Sequence, residues 1–408
     1  MKRPAIALAL AACAPADAPR AFDNAAAWAE FEAIVLDNYA YLDRGDARGQ
    51  LARSKLAALG APDEAAFRQV LHQTGLAFVD PHFVVGPLDA DDFSIVMSGA
   101  DMDVAFADGA YVVTDVKRDA AAALAGVRPG WRVVAVDGAP IDAAARAVFG
   151  DVLPSPDDAQ LSYGATIAVS GRRGQPRRIE FETPDGPAAR KLPATYDRLD
   201  EPRPPLDASR IGEVAIVRFN NSLGKDETIA AFDAAIVDAA DAAAFVLDMR
   251  DTPGGGNTDV ARAVIGHFVD HPQAYQVHEI PAVERETGVP RRFVEYALPR
   301  APRFRGPVVV LHGRWTGSMG EGLVVGLHAA GARTIGSNMG DLLGGLWNFD
   351  METAAIDISF GGEALFHVDG TPREDYVADE PLQRADMTAD GADPATDAAL
   401  AYLLELNR

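Results

Sequence analysis

The sequence is poor in cysteine, in positive charge and in lysine. The chain of 408 residues has one cysteine, Cys13, so no disulfide can form within it and its stability has to come from packing. The 37 basic side chains face 60 acidic ones, which gives a formal net charge of -23. A surface this negative repels phosphate backbones, so nucleic acid is not expected as a partner. Lysine is scarce, and none follows Lys225.

Motifs for cofactors are also missing. The chain has no phosphate-binding loop, no dinucleotide fingerprint and no HExxH zinc motif. His267 and His271 stand four residues apart at a predicted helix end and could hold zinc, but no third ligand accompanies them. Solvated helix-end histidines are the favoured interpretation. No cofactor and no metal are therefore expected.

The N-terminus has the pattern of a secretory signal. Lys2–Arg3 precede the apolar stretch Ala5–Ala12, which is too short to cross a bilayer as a mature helix, and Cys13 follows. Leu10–Cys13 resembles the lipoprotein box, in which the cysteine becomes the lipidated first residue. A cleaved signal with an incidental cysteine is the alternative. Residues 1–20 are predicted to be signal and tether, and the protein to be periplasmic, with a lipid anchor as its link to a bacterial membrane.

The rest of the chain divides by pattern. Helical spacing of apolar residues predicts a small helical N-terminal region over 21–90. Short β segments between Gly and Pro turns fill 91–184, and the proline-rich segment 185–206 is predicted to be a linker. Strands alternate with helical patterns over 207–390, which predicts an α/β fold with a largely parallel sheet covered by helices. A last amphipathic helix is expected within 391–408.

One part of the β region carries a specific pattern. Ala120–Ala125 is typical of a short helix closed by Gly126, and a Pro-Gly turn, an apolar strand and the tight turn Asp137-Gly138 follow. Ala125–Gly138 resembles the bacterial PDZ signature in all of these elements. A PDZ domain binds an extended peptide by adding it to a sheet edge. A small β domain without a ligand groove is the alternative.

Two apolar strands end in tight turns followed by helical patterns. Phe245–Arg250 runs into the glycine loop Asp251–Asn257, which offers backbone N–H groups. Val308–Leu311 runs into Thr316–Glu321, which places the Ser318 hydroxyl at a helix N-terminus, where the dipole favours negative charge. Serine followed three residues later by glutamate is also a capping box, and the two interpretations are compatible. The two turns could supply an oxyanion hole and a nucleophile for acyl transfer.

This order of motifs is similar to the carboxyl-terminal processing peptidases, or tail-specific proteases, and their tricorn-like relatives. The resemblance implies a crotonase-like α/β core with an inserted PDZ-like β domain. It also implies that Ser318 is the nucleophile, and that the backbone N–H groups of Met319 and of Gly254 or Gly255 form the oxyanion hole. The best-known branch uses a lysine base after the nucleophile helix. No lysine follows Lys225, and arginine cannot act as a base.

The tricorn-like branch implies a histidine base instead. It pairs the serine with a histidine ahead of the PDZ domain, here His82, and with a distant glutamate, here Glu374. The expected site therefore has Ser318 attacking, His82 accepting its proton and Glu374 orienting the imidazole. The alternatives are a structural histidine at position 82 and a solvated loop carboxylate at position 374.

The resulting prediction is a secreted serine-type endopeptidase. It is expected to cleave unfolded or C-terminal segments of a polypeptide substrate, presented by the PDZ-like domain, through an acyl-enzyme on Ser318; no oligomeric state is predicted. The alternative is a catalytically inactive protein of the same fold that binds peptides or a hydrophobic ligand. It is motivated by the missing lysine and by Tyr376–Pro381, which departs from the family's Gly-Val-x-Pro-Asp segment.

Overall fold

The structure is a computed structural model that describes residues 22–93, 97–195, 203–386 and 391–406. The predicted signal and tether, residues 1–20, lie outside the described residues together with the lipidation site Cys13. No helix in these four ranges is both long and apolar enough to cross a bilayer.

A small helical region comes first, as the apolar spacing predicted. Each of its helices begins after an aspartate whose carboxylate accepts backbone N–H groups of the first turn, namely Asp23, Asp46 and Asp63. The helices pack around a buried aromatic core that includes Trp28 and Phe31. The elements are α1 (Asn24–Asn38), α2 (Ala47–Leu59), α3 (Glu64–Ala77) and a short strand, β1 (Val84–Gly86).

The next segment forms an antiparallel sheet with an apolar core of its own. Its elements are β2 (Met102–Ala107), β3 (Ala110–Val116), α4 (Ala121–Leu124), β4 (Arg132–Val136), β5 (Ala139–Pro140), α5 (Ile141–Ala147), α6 (Asp158–Ser170), β6 (Arg177–Thr183) and β7 (Gly186–Leu192). The strands pair in the order β2-β3-β4-β6-β7, with β5 on β4. Asp137-Gly138 joins β4 to β5 with positive φ at both residues, as a two-residue hairpin requires. We call this unit the β domain.

Helix α6 was not expected, because only short β segments were predicted there. It starts at a capping box in which Asp157 and Gln160 satisfy each other's backbone N–H groups. From Leu161 onward almost every residue is buried, since the helix lies inside the core of the β domain. A helix that is buried on nearly all sides shows no amphipathic stripe, which explains why it escaped notice in the sequence.

The α/β core that follows confirms the predicted fold class. It comprises β8 (Leu206–Ile211), β9 (Val214–Phe219), α7 (Glu227–Asp238), β10 (Ala244–Asp248), α8 (Thr258–Gly266), β11 (Gln273–Glu279), α9 (Pro281–Thr287), β12 (Arg292–Ala297), β13 (Val308–His312), α10 (Met319–Ala329), β14 (Arg333–Gly336), β15 (Gly345–Asp350), β16 (Asp357–Phe366), β17 (Glu380–Pro381) and α11 (Pro394–Leu406). One sheet runs β17-β14-β13-β10-β9-β8, with β8 antiparallel and the other pairings parallel. Helices α7, α8 and α10 contribute to the core on one face, and α11 covers the other.

A second sheet, antiparallel, was not anticipated. Its order is β1-β16-β11-β12, with β15 also paired to β16. Strand β1 comes from the N-terminal region, and its residue Val84 pairs with Ser359 of β16. Because β1 begins two residues after His82, this pairing brings the predicted base to the α/β core.

Candidate active site

The glycine loop and the serine turn meet because their strands are neighbours. Strands β10 and β13 lie side by side in parallel, so both turns leave the same edge of the sheet. Beyond the strands, Thr252 and Thr316 form a parallel bridge, and the Gly317 N–H donates to the Thr252 carbonyl at 2.8 Å. The contact between the two turns is thus built from backbone hydrogen bonds.

Glycine is needed where the two turns touch. A Cβ atom at Gly256 would lie 1.8 Å from Met319 Cβ, and one at Gly320 would lie 2.3 Å from Thr252 Oγ1. Neither distance is possible for real atoms, so any larger residue would push the turns apart. The close approach of the backbones explains these two glycines.

Ser318 occupies the strained position at the start of α10. Its backbone φ is +53°, which is rare for a residue with a side chain and is typical of functional turns. The Glu321 carboxylate accepts the Ser318 N–H at 2.8 Å, which is the capping contact anticipated from the sequence. The Ser318 hydroxyl oxygen lies 3.2 Å from Nε2 of His82. The distance is within reach of proton transfer.

A buried ion pair lies beneath the serine. The Glu321 carboxylate is 1% exposed as a side chain and lies 3.3 Å from the Arg373 guanidinium. Burial raises the pKa of Glu321 to about 8, while Arg373 and the N–H groups of Ser318 and Leu342 act to lower it. Arg373 also donates to the carbonyl oxygens of Leu342 and Gly344. The pair ties the start of α10 to the chain that precedes β15.

His82 is held in an orientation suited to a base. Its Nδ1 lies 2.9 Å from the Leu343 carbonyl oxygen, which can only accept, so Nδ1 carries the proton and Nε2 presents its lone pair to Ser318. Burial lowers the pKa of His82 to about 4, so the ring is neutral across the physiological range. The backbone N–H of His82 donates to Asp80 Oδ1 at 2.9 Å, which fixes the turn that carries the ring.

Glu374 is not placed against the imidazole. It lies in the short helical turn Arg373–Asp375, and its carboxylate pairs with Arg44 at 3.4 Å. Burial raises its pKa. The partner of His82 Nδ1 is the Leu343 carbonyl, so in this structure a backbone group takes the position that the sequence prediction gave to Glu374.

A groove of about 730 Å³ runs past the serine. The structure brings five predicted residues together in its lining, namely Ser318, His82, Gly254, Gly255 and Met319, whereas Glu374 is not among the described residues that line it. Part of its wall is apolar, with Leu342, Leu346 and Leu365. A space of this size can hold several side chains of an extended peptide.

Another part of the groove wall is polar. His278 Nδ1 lies 2.7 Å from Glu363, and His278 Nε2 lies 3.0 Å from the Gln276 side-chain amide. Burial acts to lower the pKa of His278, but the carboxylates of Glu295, 3.5 Å from Nε2, and of Glu363 raise it overall. Gln276 Oε1 is buried and has no hydrogen-bond partner among the described residues. The Glu363 side chain, which is 21% exposed, offers an acceptor to a bound chain, whereas Gln276 Oε1 is closed off from solvent.

Ser98 supports the glycine loop from behind. It is buried in the short helical turn Met97–Gly99, and its hydroxyl donates to the Pro253 carbonyl. In a trans peptide group the C=O and N–H bonds point in opposite directions. Because the Ser98 hydroxyl holds the Pro253 carbonyl, the N–H of the same peptide group, that of Gly254, points away from Ser98. Gly254 is one of the residues that line the groove.

Three supporting residues were missed in the sequence. Ser98 and Leu343 contact the site through single hydrogen bonds to or from backbone groups, and such contacts leave no motif. Arg373 could have been suspected, because it is a basic residue next to the predicted site residue Glu374, and Glu321 needs a cation if it is buried. That Glu321 would be buried was not evident, since a capping glutamate is usually exposed.

The predicted zinc alternative has no support in the described ranges, where no group of three or more potential metal ligands occurs. The interpretation of both histidines as solvated is wrong for His267. Its ring is fully buried and contacts Asp233 at 2.8 Å and the Pro302 carbonyl. The partner residues come from α7 and from the chain before β13, and neither contact was visible as a local pattern. His271 is exposed.

The β2 edge of the β domain is already occupied. The outward N–H groups of Val104 and Phe106 donate to Thr166 Oγ1 and Ser162 Oγ, each at 2.9 Å. Four residues along a helix rise about 6 Å, and two residues along a strand rise about 6.7 Å. The hydroxyls of Ser162 and Thr166 on α6 are therefore spaced like the N–H groups of Phe106 and Val104 on β2. Peptide addition at this edge would require α6 to leave the core of its own domain.

Comparison with known proteins agrees with this architecture. Residues 210–354 match peptidase family S41. Among solved structures, mature CPAF complexed with lactacystin aligns with a TM-score of 0.59 at 14% identity, covering 93% of this chain and 96% of that one. The photosystem II D1 C-terminal processing protease aligns with a TM-score of 0.54 at 15% identity, covering 88% and 92%. A putative peptidase from Parabacteroides merdae ATCC 43184 aligns at 0.53 and 13%, covering 92% and 96%.

The family match over residues 210–354 supports a peptidase, and the shared fold agrees with it. The predicted recognition of the processing-peptidase family is confirmed by this match and by the shared fold. The similarity to solved structures shows the shared fold. No curated protein sequence matches the chain. The tricorn-like branch and the PDZ assignment stay predictions.

Proposed function

We propose that the protein is a serine peptidase in which Ser318 is the nucleophile and His82 the general base. The observation that carries the proposal is the 3.2 Å contact between Ser318 Oγ and His82 Nε2, on a ring whose other nitrogen is bonded to a carbonyl. Ser318 Oγ attacks the scissile carbonyl carbon as its proton passes to Nε2. The proton then goes to the leaving amine, and water repeats the sequence on the acyl-enzyme.

The oxyanion donors in this proposal are two backbone N–H groups. Met319 N–H stands at the first turn of α10, where helix N–H groups are free and the dipole favours negative charge. Gly254 supplies the other, because the Ser98 contact with Pro253 fixes the direction of its N–H. Gly255 then serves as the flexible next residue of the loop, with φ of +72°.

The substrate in this proposal is an unfolded or C-terminal polypeptide segment bound in the groove. The apolar wall around Leu346 and the partly exposed Glu363 carboxylate suit an extended chain with mixed side chains. The closed β2 edge argues that the groove, rather than peptide addition to the β domain, selects the substrate. We further propose a periplasmic, lipid-anchored location through Cys13. Loss of membrane association in a Cys13→Ser variant tests that part.

A fluorophosphonate probe followed by peptide mapping tests the chemistry. Covalent labelling at Ser318, lost in Ser318→Ala and reduced at least about 100-fold in His82→Ala, is expected from a serine–histidine pair. Cleavage of an unstructured protein should be lost in parallel. A folded wild-type protein that neither labels nor cleaves, but binds peptide tightly, would favour the inactive binding protein instead.

A further inference from the structure

The Asp80 carboxylate is buried directly behind the candidate base. It is fully buried, with Oδ1 accepting the His82 N–H at 2.9 Å and Oδ2 accepting the Tyr39 hydroxyl at 3.0 Å. The Leu343 N–H also approaches the carboxylate and stabilises its charged form. Burying a carboxylate costs free energy unless the group is paired or hydrogen-bonded.

Leu343 links this carboxylate to the imidazole. Its N–H faces Asp80, and its carbonyl oxygen is 2.9 Å from His82 Nδ1. Asp80 thus holds both the backbone that carries the ring and the residue that contacts Nδ1. No carboxylate in the described ranges is recorded in a hydrogen bond with the imidazole. The Leu343 carbonyl oxygen occupies the position beside Nδ1 that an aspartate or glutamate carboxylate has in a Ser-His-acid triad.

We propose that Asp80 is the positioning residue of the site, holding His82 and the Leu343 carbonyl so that Nε2 faces Ser318. The inference rests on the proposed function, because it assigns a role in the same reaction. Asp80 touches neither the serine nor the substrate groove. Its effect on rate passes through the orientation of the ring, and a misplacement of about 1 Å can cost on the order of 100-fold in rate.

The charge of Asp80 is expected to matter over an accessible pH range. Burial raises its pKa to about 7, so the carboxyl is protonated below that pH and ionised above it. A protonated carboxyl group and an asparagine amide have the same shape, and each has one carbonyl oxygen, whereas the ionised carboxylate accepts through two equivalent oxygens. Wild type at low pH should therefore behave like an Asp80→Asn variant. The titratable and charged groups that face Asp80 are Tyr39, Tyr41, Arg44, His82 and Tyr163.

The experiment compares wild type with Asp80→Asn across pH. We expect kcat for an unstructured peptide and the rate of fluorophosphonate labelling to fall about 10- to 100-fold above pH 8, with KM changed less than about twofold. The ratio of wild-type to variant rate should shrink toward one below pH 6. Taking the ratio removes titrations common to both proteins, including that of Glu321.

Asp92→Asn is the matched control. Asp92 is also buried and accepts a backbone N–H, from Asp89, but it pairs with Arg68 away from the groove. It should lower thermal stability without a pH-dependent change in kcat. A ratio for Asp80→Asn that is the same at every pH would show a merely structural carboxylate and overturn the inference.

A second variant keeps the test decisive where Asp80→Asn does not fold. The Tyr39 hydroxyl lowers the pKa of Asp80, so Tyr39→Phe should raise that pKa and move the inflection in kcat to higher pH. An unmoved inflection in a folded Tyr39→Phe protein would overturn the inference. Absence of Ser318 labelling in wild type would overturn the proposed function itself, which is a distinct result.

Discussion

Replacing Ser98 with alanine tests whether the glycine loop is held in a catalytic orientation. The Ser98 hydroxyl is the buried donor to the Pro253 carbonyl, and the following peptide carries the Gly254 N–H. Without that donor the peptide plane between residues 253 and 254 is free to rotate, since glycine has few steric barriers. Rotation would turn the N–H away from a developing oxyanion.

The magnitude follows from the hydrogen bond that is lost. A buried carbonyl left without its donor costs about 1–3 kcal/mol. If the whole of that free energy disfavours the orientation in which the Gly254 N–H faces the oxyanion, kcat falls about 5- to 150-fold. This conversion takes about 1.4 kcal/mol for each factor of ten in rate. KM should change little, because Ser98 itself does not line the groove. The loss is smaller than the 100- to 1,000-fold expected from deleting an oxyanion donor outright.

Steady-state kinetics on an unstructured peptide, with active sites counted by the fluorophosphonate probe, measure this effect. Ser54→Ala is the matched control, because Ser54 is a fully buried serine that accepts from Gln50 in α2. The control should lose stability but keep kcat per active site. A folded Ser98→Ala protein with wild-type kcat would refute the role given to the Pro253 carbonyl.

Three further outcomes are expected. Because burial lowers the pKa of His82 to about 4, the final loss of labelling on acidification should occur as pH falls through about 4, measured by quenched labelling time courses. Arg373→Met should destabilise the fold by about 3–5 kcal/mol in urea titrations, because it leaves the buried Glu321 without its cation. That loss should be larger at pH 9 than at pH 6, since a carboxyl whose pKa is raised by folding destabilises the folded state as pH rises. Gly256→Ala should lower kcat at least about 100-fold, because its Cβ would collide with Met319.

Each of these has a contradicting result. In Asp80→Asn, which lacks the Asp80 titration, labelling that disappears near the ordinary histidine pKa of about 6.5 would mean that the ring is hydrated and not desolvated. Equal urea stability of Arg373→Met and wild type would deny the buried ion pair. Gly60→Ala, at a helix end where the new Cβ meets only ordinary contacts, is the control for Gly256→Ala and should keep full activity.

The sequence was sufficient for the parallel sheet because its two central strands are buried along almost their whole length. Ala244–Asp248 and Val308–His312 are short apolar runs bounded by turns, and such runs predict central strands. Ser318 and the glycine loop were found for a related reason, since each directly follows one of these strands. Helix α6 escaped because it is buried on nearly all sides and shows no periodic stripe.

The supporting residues of the site could not be found in the same way. Leu343 meets His82 across 261 positions of chain through a backbone carbonyl, which any residue type could offer. Glu374 was chosen by its place in a family pattern, and the structure places its carboxylate against Arg44 instead of the imidazole. Sequence patterns identify residues whose side chains do chemistry. They carry no record of which main-chain group lies beside them.

The two hydroxyl contacts between α6 and β2, from Ser162 and Thr166, also affect the choice of inhibitor chemistry. Compounds that imitate a free C-terminus rely on a vacant strand edge, and here Ser162 and Thr166 already fill those positions. Screening libraries are better built around electrophiles that react with an activated alcohol, extended by groups that reach the leucine side chains nearby. Selectivity over proteins whose strand edge is open would then come from the groove alone.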